Sequence, residues 1–204
     1  MHDAAELIAE LRPYVADDRV LDAIASVRRE LFVPPPMRPR AYENCALSIG
    51  CGQTISQPLV VARMTEMLDV RPSDRVLDVG TGSGYHAAVL ARLADHVWSI
   101  ERHARLSRRA GYSLREAGID NVTLVVGDGT RGLPEEAPFD AINVAAAGTA
   151  DALVELEAQL ALGGQLVAPV SGEQQRLEVT TRTDAGLVRQ LFEEVRFVPL
   201  VRDF

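Results

Sequence analysis

From residue 75 onwards, short apolar runs alternate with segments of helical periodicity, and this alternation restricts the fold more than any other feature of the chain. Runs of apolar and strand-favouring residues predict five strands, over 75–79, 96–100, 122–126, 141–145 and 165–170. Helices are predicted between them over 84–94, 103–117 and 151–160, the last ending at Gly163-Gly164. Strands connected through helices predict an α/β fold, with a mostly parallel sheet and helices on both faces.

The two ends of the chain differ from this central pattern. Near the C-terminus, strands predicted over 177–183 and 191–201 have no helix between them, so we expect them to form an antiparallel edge of the sheet. Near the N-terminus, helices are predicted over 3–12 and 18–30. A proline-rich run then begins a loop-like stretch, which lasts up to a helix that starts at Pro58.

Length and charge narrow the class of protein further. The 204 residues suggest one domain in two parts: residues 1–58, a helical extension with a covering loop, and residues 59–204, the core. The formal net charge of -8, from 21 Lys and Arg against 29 Asp and Glu, disfavours binding to nucleic acid or anionic membranes. The two cysteines, Cys45 and Cys51, predict neither a disulfide framework nor a metal site. Because the cysteines are few and no signal peptide or membrane span is visible, we expect a cytoplasmic protein. We also expect a monomer.

A glycine-rich run follows the first strand of the core. Gly80-Thr81-Gly82-Ser83-Gly84-Tyr85 stands where open parallel sheets bind ligands, beyond the carboxyl end of a strand. Dinucleotide sites prefer G-x-G-x-x-G, whereas the spacing here is G-x-G-x-G with the acidic Asp78 just before it. A carboxylate there would repel a pyrophosphate but suits a cofactor that carries an ammonium group and no phosphate. The run therefore predicts S-adenosylmethionine and disfavours a nicotinamide dehydrogenase.

Two further acids stand at the ends of the next two strands. Glu101 is placed to accept hydrogen bonds from ribose hydroxyls, although a carboxylate at a helix start would look the same. Asp128 is placed to reach the adenine amino group, although an Asx turn is the simpler interpretation of Gly127-Asp128-Gly129. Three acids at successive strand ends support one cofactor site. His86, just after the glycines, is expected to face solvent or pack on its helix rather than to act in catalysis.

One segment ahead of the core carries the most specific pattern. Residues 50–58 read G-C-G-Q-T-I-S-Q-P and resemble the G-x-G-Q-T-I-S-Q-P signature of the protein-L-isoaspartate O-methyltransferase family, which general methyltransferases do not share. The resemblance runs from about Leu21 to Val201. It also includes Phe32-Val33-Pro34, Tyr42-Glu43-Asn44, Asp78 to Tyr85, Ser99-Ile100-Glu101-Arg102, Gly127-Asp128-Gly129, Ala137-Pro138-Phe139-Asp140 and Val195 to Leu200.

The resemblance implies a Rossmann-like class I methyltransferase with a mostly parallel seven-stranded sheet and an antiparallel C-terminal edge. It implies methyl esterification of the free α-carboxylate of L-isoaspartyl residues in damaged proteins and peptides, a repair reaction. Ser56 matches the family's active-site serine, and residues 53–57 would cover both cofactor and substrate. The resemblance and the strand ends together assign cofactor binding to Gln53, Thr54, Ile55, Ser56, Asp78, Gly80, Thr81, Gly82, Ser83, Tyr85, Glu101, Arg102, Asp128 and Gly129.

The chemistry of such a reaction makes modest demands on the site. A carboxylate is already anionic at neutral pH, so no strong general base is needed. The enzyme has to align the carboxylate oxygen with the sulfonium methyl group and to exclude water. Ser56 therefore needs only to orient the carboxylate and not to act as a nucleophile, and the sequence contains no convincing Ser/His/Asp triad.

The sequence departs from the family pattern in three places. Residues 145–149, A-A-A-G-T, replace an alanine run that usually ends in proline, which exchanges a stiff turn for a flexible one. Ser48 stands where bacterial members often have proline, and Val201 where a hydroxyl residue can be found. These departures leave two alternatives open: a diverged methyltransferase of the same fold acting on another carboxylate, such as one in a biosynthetic peptide, and a non-catalytic S-adenosylmethionine-binding adaptor. Residues 143–146 lack the Asp/Asn-Pro-Pro-aromatic run that grips a flipped base, which disfavours a nucleic-acid methyltransferase.

Overall fold

The computed structural model describes residues 3–202, which form six α-helices, nine β-strands and three short 3-10 turns. The helices are α1 (Ala4–Leu11), α2 (Asp18–Ser26), α3 (Pro58–Met67), α4 (Tyr85–Ala91), α5 (Ala104–Glu116) and α6 (Ala150–Glu157). The strands are β1 (Leu47–Gly50), β2 (Gln53–Ile55), β3 (Arg75–Val79), β4 (His96–Glu101), β5 (Val122–Val126), β6 (Phe139–Val144), β7 (Leu160–Val170), β8 (Arg176–Thr183) and β9 (Gly186–Glu194). The 3-10 turns are Arg29–Phe32, Pro35–Arg40 and Gly129–Arg131.

Seven of the strands form one sheet in the order β5-β4-β3-β6-β7-β8-β9. The strands from β5 to β7 run parallel, and β8 and β9 add to the β7 edge as antiparallel strands. This confirms the predicted α/β fold with its mixed C-terminal edge. The chain moves outwards in both directions from β3, so a crevice forms at the carboxyl end of this strand.

Helices cover both faces of this sheet, as the alternation along β3 shows. Val76 belongs to a cluster of buried side chains that includes residues of α1 to α5, whereas its neighbour Leu77 belongs to a second cluster with Leu153 and Leu156 of α6. Successive strand residues point to opposite faces, so the two clusters lie on opposite sides of the sheet. Among residues 3–202, no helix combines the length and the apolarity needed to cross a bilayer.

A small antiparallel hairpin, β1–β2, lies in the stretch that the sequence predicted to be a loop. Its strands have only four and three residues, too few to show a period-two pattern, and Leu47 and Ile55 are its buried partners. The turn Gly50-Cys51-Gly52 has three consecutive positive φ angles, of 92°, 54° and 69°. Glycine supplies this conformation cheaply at the first and third positions.

Near the C-terminus, predicted element boundaries are wrong in two regions, around β7 and around β9, which spans 186–194 and not 191–201. Gly163-Gly164 does not end α6 but lies inside β7, where the pairing with β6 is irregular and a Cβ at Gly164 would stand 2.9 Å from a backbone oxygen. Glycines in a strand mark such close approaches as well as helix ends. The last strand ends at Glu194 rather than near residue 201, because the chain then leaves the sheet and residues 198–200 pair with Ala147 in the loop after β6.

Candidate active site

A cavity of about 650 Å³ opens at the carboxyl ends of the central strands, in the size range of small-molecule sites. Three parts of the chain enclose it: the covering segment, defined here as residues 53–57, the glycine loop 80–84, and the C-terminal segment 194–201. Of the predicted site residues, those that line the cavity are Gln53, Thr54, Ile55, Ser56, Gly80, Thr81, Gly82, Ser83, Tyr85, Glu101, Arg102 and Gly129. The fold thus brings together residues that lie up to about eighty positions apart in the sequence.

The glycine loop turns sharply away from the sheet. The amide of Gly80 donates to the carbonyl of Ile100 at 2.9 Å, which fastens the loop to the neighbouring strand β4. Gly84 has a φ of 86°, and a Cβ built there would stand 2.9 Å from the Cβ of Ala110 on α5. Glycine is required at this position both by the positive φ and by the close approach of α5.

Glu101 closes the loop from the end of β4. One carboxylate oxygen accepts from the amide of Gly82 at 2.8 Å, and the other accepts from the amide of His103 at 2.8 Å. A pyrophosphate would need the loop amides for itself, because phosphates bind to free N–H groups at helix starts. Here a carboxylate already occupies the Gly82 amide, which fits a cationic cofactor and not a dinucleotide.

Asp78 lies inside the sheet and does not line the cavity, unlike the predicted arrangement. Its carboxylate accepts from Ser99 Oγ at 2.6 Å and from Asn143 Nδ2 at 2.7 Å. Because Ser99 uses its one proton on Asp78, Thr81 donates to Ser99 Oγ at 2.6 Å. Burial raises the pKa of the Asp78 carboxyl, while the hydrogen bonds from Ser99 and Asn143 oppose the rise. Asp78 therefore acts on the glycine loop through Ser99 and Thr81.

Asp128 shapes its own turn rather than lining the cavity. Its Oδ1 accepts from both the amide (2.9 Å) and the hydroxyl (2.7 Å) of Thr130, an arrangement that caps the 3-10 turn Gly129–Arg131. This is the Asx-turn alternative that the sequence left open. The next residue, Gly129, does line the cavity, since a Cβ there would stand 2.6 Å from Val79 Cγ1 and only glycine lets the turn approach β3.

His86 does not face solvent; it is buried between α3 and β6. Its Nδ1 accepts from Asn143 at 3.1 Å, and its Nε2 donates to Thr65 Oγ1 at 3.1 Å. Burial lowers the pKa of His86 to about 3, so the ring is neutral at physiological pH, which agrees with this pattern of donor and acceptor. The ring packs inside the protein, as one of the two predicted alternatives. It also connects α3, through Thr65, with Asn143, which in turn donates to Asp78.

Two residues that the sequence analysis missed hold the covering segment in place. Arg29 donates to the carbonyl of Ser56 at 2.7 Å, and Asn44 accepts from the amide of Leu59 at 3.0 Å. Asn44 could have been found as part of the Tyr42-Glu43-Asn44 match. Arg29 gave no signal, because an arginine inside a predicted amphipathic helix is ordinarily a surface residue.

The loop after β6 is bound on both sides. The amide of Ala147 donates to the carbonyl of Val198 at 2.8 Å, and the amide of Leu200 donates back to Ala147 at 2.7 Å. On the other side, the amide of Gly148 donates to the carbonyl of Pro169 at 3.1 Å. Hydrogen bonds to neighbouring backbone therefore restrict the loop that the sequence predicted to be flexible. Val201, the third departure from the family pattern, lines the cavity. Within residues 3–202, no group of three or more His, Cys, Asp or Glu side chains could hold a metal ion.

Comparisons with known proteins agree with this geometry. Residues 2–203 match the family model described as protein-L-isoaspartate(D-aspartate) O-methyltransferase. A protein-L-isoaspartate O-methyltransferase of Rhodospirillum centenum is 49% identical over 191 residues, which cover 93% of this chain and 86% of that protein. A solved protein-L-isoaspartate O-methyltransferase superposes with a TM-score of 0.86 at 29% identity, over 97% of this chain; the chain spans 65% of the length of that one.

A second solved structure contains a ligand. This β-aspartate methyltransferase from Plasmodium falciparum, solved in complex with S-adenosyl-L-homocysteine, superposes with a TM-score of 0.85 at 25% identity over 100% of both chains. S-adenosyl-L-homocysteine is what S-adenosylmethionine becomes after methyl transfer. The chain described here belongs to the protein-L-isoaspartate (D-aspartate) O-methyltransferase family and is an S-adenosylmethionine-dependent protein carboxyl methyltransferase.

Proposed function

We propose that the protein methylates the free α-carboxylate of L-isoaspartyl residues in damaged proteins and peptides, with S-adenosylmethionine as methyl donor, as a step of protein repair. The observation that carries the proposal is the covering segment: residues 53–57 of the family signature line the same cavity as the glycine loop. The match over residues 2–203 supports it along nearly the whole chain.

We propose that the cofactor is held by the glycine loop and the strand ends around it. S-adenosylmethionine supplies an electrophilic methyl group on a cationic sulfur. Glu101 offers carboxylate oxygens at the end of β4, and the covering segment and Arg102 close the site. Asp78 and Asp128 were predicted to bind the cofactor directly; we propose instead that they support its site, Asp78 through Ser99 and Asp128 through the turn that places Gly129. The cofactor roles of Gln53, Thr54, Ile55, Gly80, Thr81, Gly82, Ser83 and Tyr85 rest on their place in the lining.

We propose that Ser56 orients the substrate. Its backbone is fixed by Arg29 at 2.7 Å, and Ile55 before it is buried, so the residue has a defined place above the cavity. A serine hydroxyl can donate one hydrogen bond to a carboxylate oxygen and leave the other oxygen to attack the methyl group. The carboxylate needs no deprotonation, so positioning and exclusion of water supply the catalysis.

Ser56→Ala tests this role. We expect kcat/KM for an isoaspartyl peptide to fall about 10- to 100-fold, since a hydrogen bond to a charged group contributes roughly 1.5–3 kcal/mol. The dissociation constant of S-adenosylhomocysteine should change little. Ser48→Ala is the matched control, because Ser48 is an exposed serine of the hairpin that precedes Ser56. Methyl incorporation is measured on paired isoaspartyl and aspartyl peptides, of which only the first should be labelled.

The same assay separates the alternatives. Equal or absent labelling of the two peptides would refute the isoaspartyl assignment. Cofactor binding without turnover on any carboxylate would indicate an adaptor, and turnover only on a different carboxylate would indicate a diverged methyltransferase. A Ser56→Ala variant with wild-type kcat/KM would remove Ser56 from the mechanism.

We also propose that the protein is a cytoplasmic monomer that does not bind nucleic acid, on the basis of its net charge and its free cysteines. Residues 1–58 and 59–204 are proposed to fold as one domain. Buried side chains of α1 and α2 belong to the same cluster as those of α3 to α5, which supports this.

A further inference from the structure

Arg29 is a buried arginine that joins three parts of the site. None of its surface is exposed. Its Nε donates to the carbonyl of Ala41 at 2.9 Å, and its Nη2 donates to the carbonyl of Ser56 at 2.7 Å. The guanidinium carbon lies 4.6 Å from the ring centroid of Tyr85, the residue that follows the glycine loop. One side chain thus connects the N-terminal extension, the covering segment and the start of α4.

The charge of this side chain has no counter-ion in residues 3–202. No carboxylate of that part of the chain lies within 4 Å of the guanidinium, and Nη1 has no hydrogen-bond partner there. The adjacent acid, Glu30, binds the side chains of Tyr42 and Arg28 instead. Burial lowers the pKa of Arg29, but a guanidinium stays protonated at neutral pH. The face of the Tyr85 ring compensates the charge only in part.

A buried, unpaired cation is unfavourable for the fold, so its presence calls for a role. We propose that Arg29 is a positioning residue that selects the anionic substrate: its charge, fixed behind the backbone of Ser56, favours the isoaspartyl α-carboxylate over an uncharged group of the same shape. This inference rests on the proposed function. It meets a physical need, because the net charge of the protein is -8 and Glu101 and Glu194 line the cavity, and a fixed positive charge nearby offsets their repulsion of a carboxylate.

Two other cations lie close enough to compete for this role. Arg102 and Arg196 line the cavity, but both are exposed. Dissolved salt screens exposed charges strongly and buried charges much less. The way in which the preference for a carboxylate substrate depends on ionic strength therefore distinguishes the buried charge of Arg29 from the exposed charges of Arg102 and Arg196.

The test uses the full-length protein and two peptides of the same sequence. One carries an isoaspartyl residue, and in the other its α-carboxylate is replaced by a primary amide. The KM of the first and the inhibition constant of the second are measured for the wild type, Arg29→Gln, Arg29→Lys and Arg28→Gln. Arg28 is the matched control, because it is the adjacent arginine, is exposed and pairs with Glu30. Binding of S-adenosylhomocysteine verifies that each variant keeps its cofactor site.

Because Arg29→Gln also loosens the hold on the Ser56 carbonyl, we expect weaker binding of both peptides, with the KM of the isoaspartyl peptide raised about tenfold more than the inhibition constant of the amide. The preference for the carboxylate is the ratio of the amide's inhibition constant to the KM of the isoaspartyl peptide. Arg29→Lys should retain most of this preference, and Arg28→Gln should leave both constants unchanged. If Arg29 had a purely structural role, Arg29→Gln would weaken the binding of both peptides equally, and that outcome would overturn the proposal. So would an unchanged preference.

The wild type alone gives a second test that needs no variant to fold. When NaCl is raised from about 0.05 M to about 0.5 M, the preference of the wild type for the carboxylate should change by less than about threefold. A preference that collapses over this range belongs to Arg102 and Arg196, and the proposal for Arg29 fails. A wild type that does not methylate the isoaspartyl peptide at all refutes the proposed function itself, which is a different and recognisable result.

Discussion

Asp78 shows how a single carboxylate can support a loop that lines a cavity without lining the cavity itself. It is fully buried at the end of β3, and its two oxygens accept from Ser99 and Asn143. Ser99 in turn accepts from Thr81 of the glycine loop. A buried hydrogen-bond chain of this kind fixes the conformation of the loop before any ligand arrives, which reduces the ordering cost of binding.

His86 at the other end of this network gives a prediction about pH. Its pKa is about 3 in the folded protein, against a value of 6.5 for an unperturbed imidazole. Between these values the unfolded chain binds a proton that the folded protein does not, so the free energy of unfolding decreases as the pH falls from 6.5 towards 3. Well above pH 6.5, where the unfolded imidazole is also neutral, this group contributes no pH dependence. From about pH 7 to about pH 5, the stability lost through His86 is about 2 kcal/mol.

Urea denaturation of the wild type and His86→Gln at these two pH values measures this difference. The wild type should lose about 2 kcal/mol more than the variant. Asp78 is the nearest ionisable neighbour in the network, and its raised pKa acts in the opposite direction. Because both proteins contain Asp78, its effect cancels in the comparison. Equal losses in the two proteins would show that the folded protein does not keep His86 neutral.

At the scale of secondary structure, the start of α3 controls the covering segment. The residue before this helix, Gln57, makes no side-chain cap, and Asn44 supplies one from a distance by accepting from the amide of Leu59. Asn44 also donates to Glu10 of α1 at 2.9 Å. The helix start, and with it the end of the covering segment, is therefore fastened to the N-terminal extension.

Asn44→Ala should separate this role from general stability. We expect a loss of about 1 kcal/mol of unfolding free energy, as for a lost helix cap, together with a KM for the isoaspartyl peptide raised several-fold. Asp3→Ala is the matched control, because Asp3 makes the capping box of α1 with Glu6, away from the cavity lining. This variant should lose a similar free energy, about 1 kcal/mol, with an unchanged KM. The same KM change in both variants, or in neither, would contradict the assignment.

Element boundaries were predictable where one local rule applied. Pro58 begins α3 and β5 spans 122–126 as expected, because a helix-initiating proline and a short apolar run each have a simple structural meaning. The hairpin β1–β2 and the glycines within β7 were not predicted. Two short strands carry too little periodicity, and Gly163-Gly164 fits a helix end and a strand irregularity equally well.

At the scale of the whole molecule, residues from both parts of the chain build one site. The cavity lining extends from Ala46 to Val201, and the largest buried cluster combines side chains of α1 and α2 with those of the core. A ligand that binds only this assembled state stabilises the whole domain against unfolding.

Thermal unfolding with S-adenosylhomocysteine tests this coupling. At about one hundred times its dissociation constant, the ligand should add about 2.7 kcal/mol, which corresponds to a rise in Tm of roughly 5–10 °C for a domain of this size. We expect one transition that shifts as a unit, measured by calorimetry with and without the ligand. Two transitions, of which only the second shifts, would show that residues 1–58 fold separately from residues 59–204.

The sequence by itself determined the order of strands and helices from β3 onwards and the class of cofactor, and it predicted the edge of the sheet at which the cofactor binds. These follow from local periodicity, from glycine spacing and from the rule that ligands bind at the carboxyl ends of parallel strands. Only the tertiary structure decided that Asp78 accepts from Asn143, that Arg29 donates to the carbonyl of Ser56, and that residues 198–200 pair with the loop after β6. The energies of these contacts depend on a distance in space between residues far apart in the chain, and no local pattern records that distance.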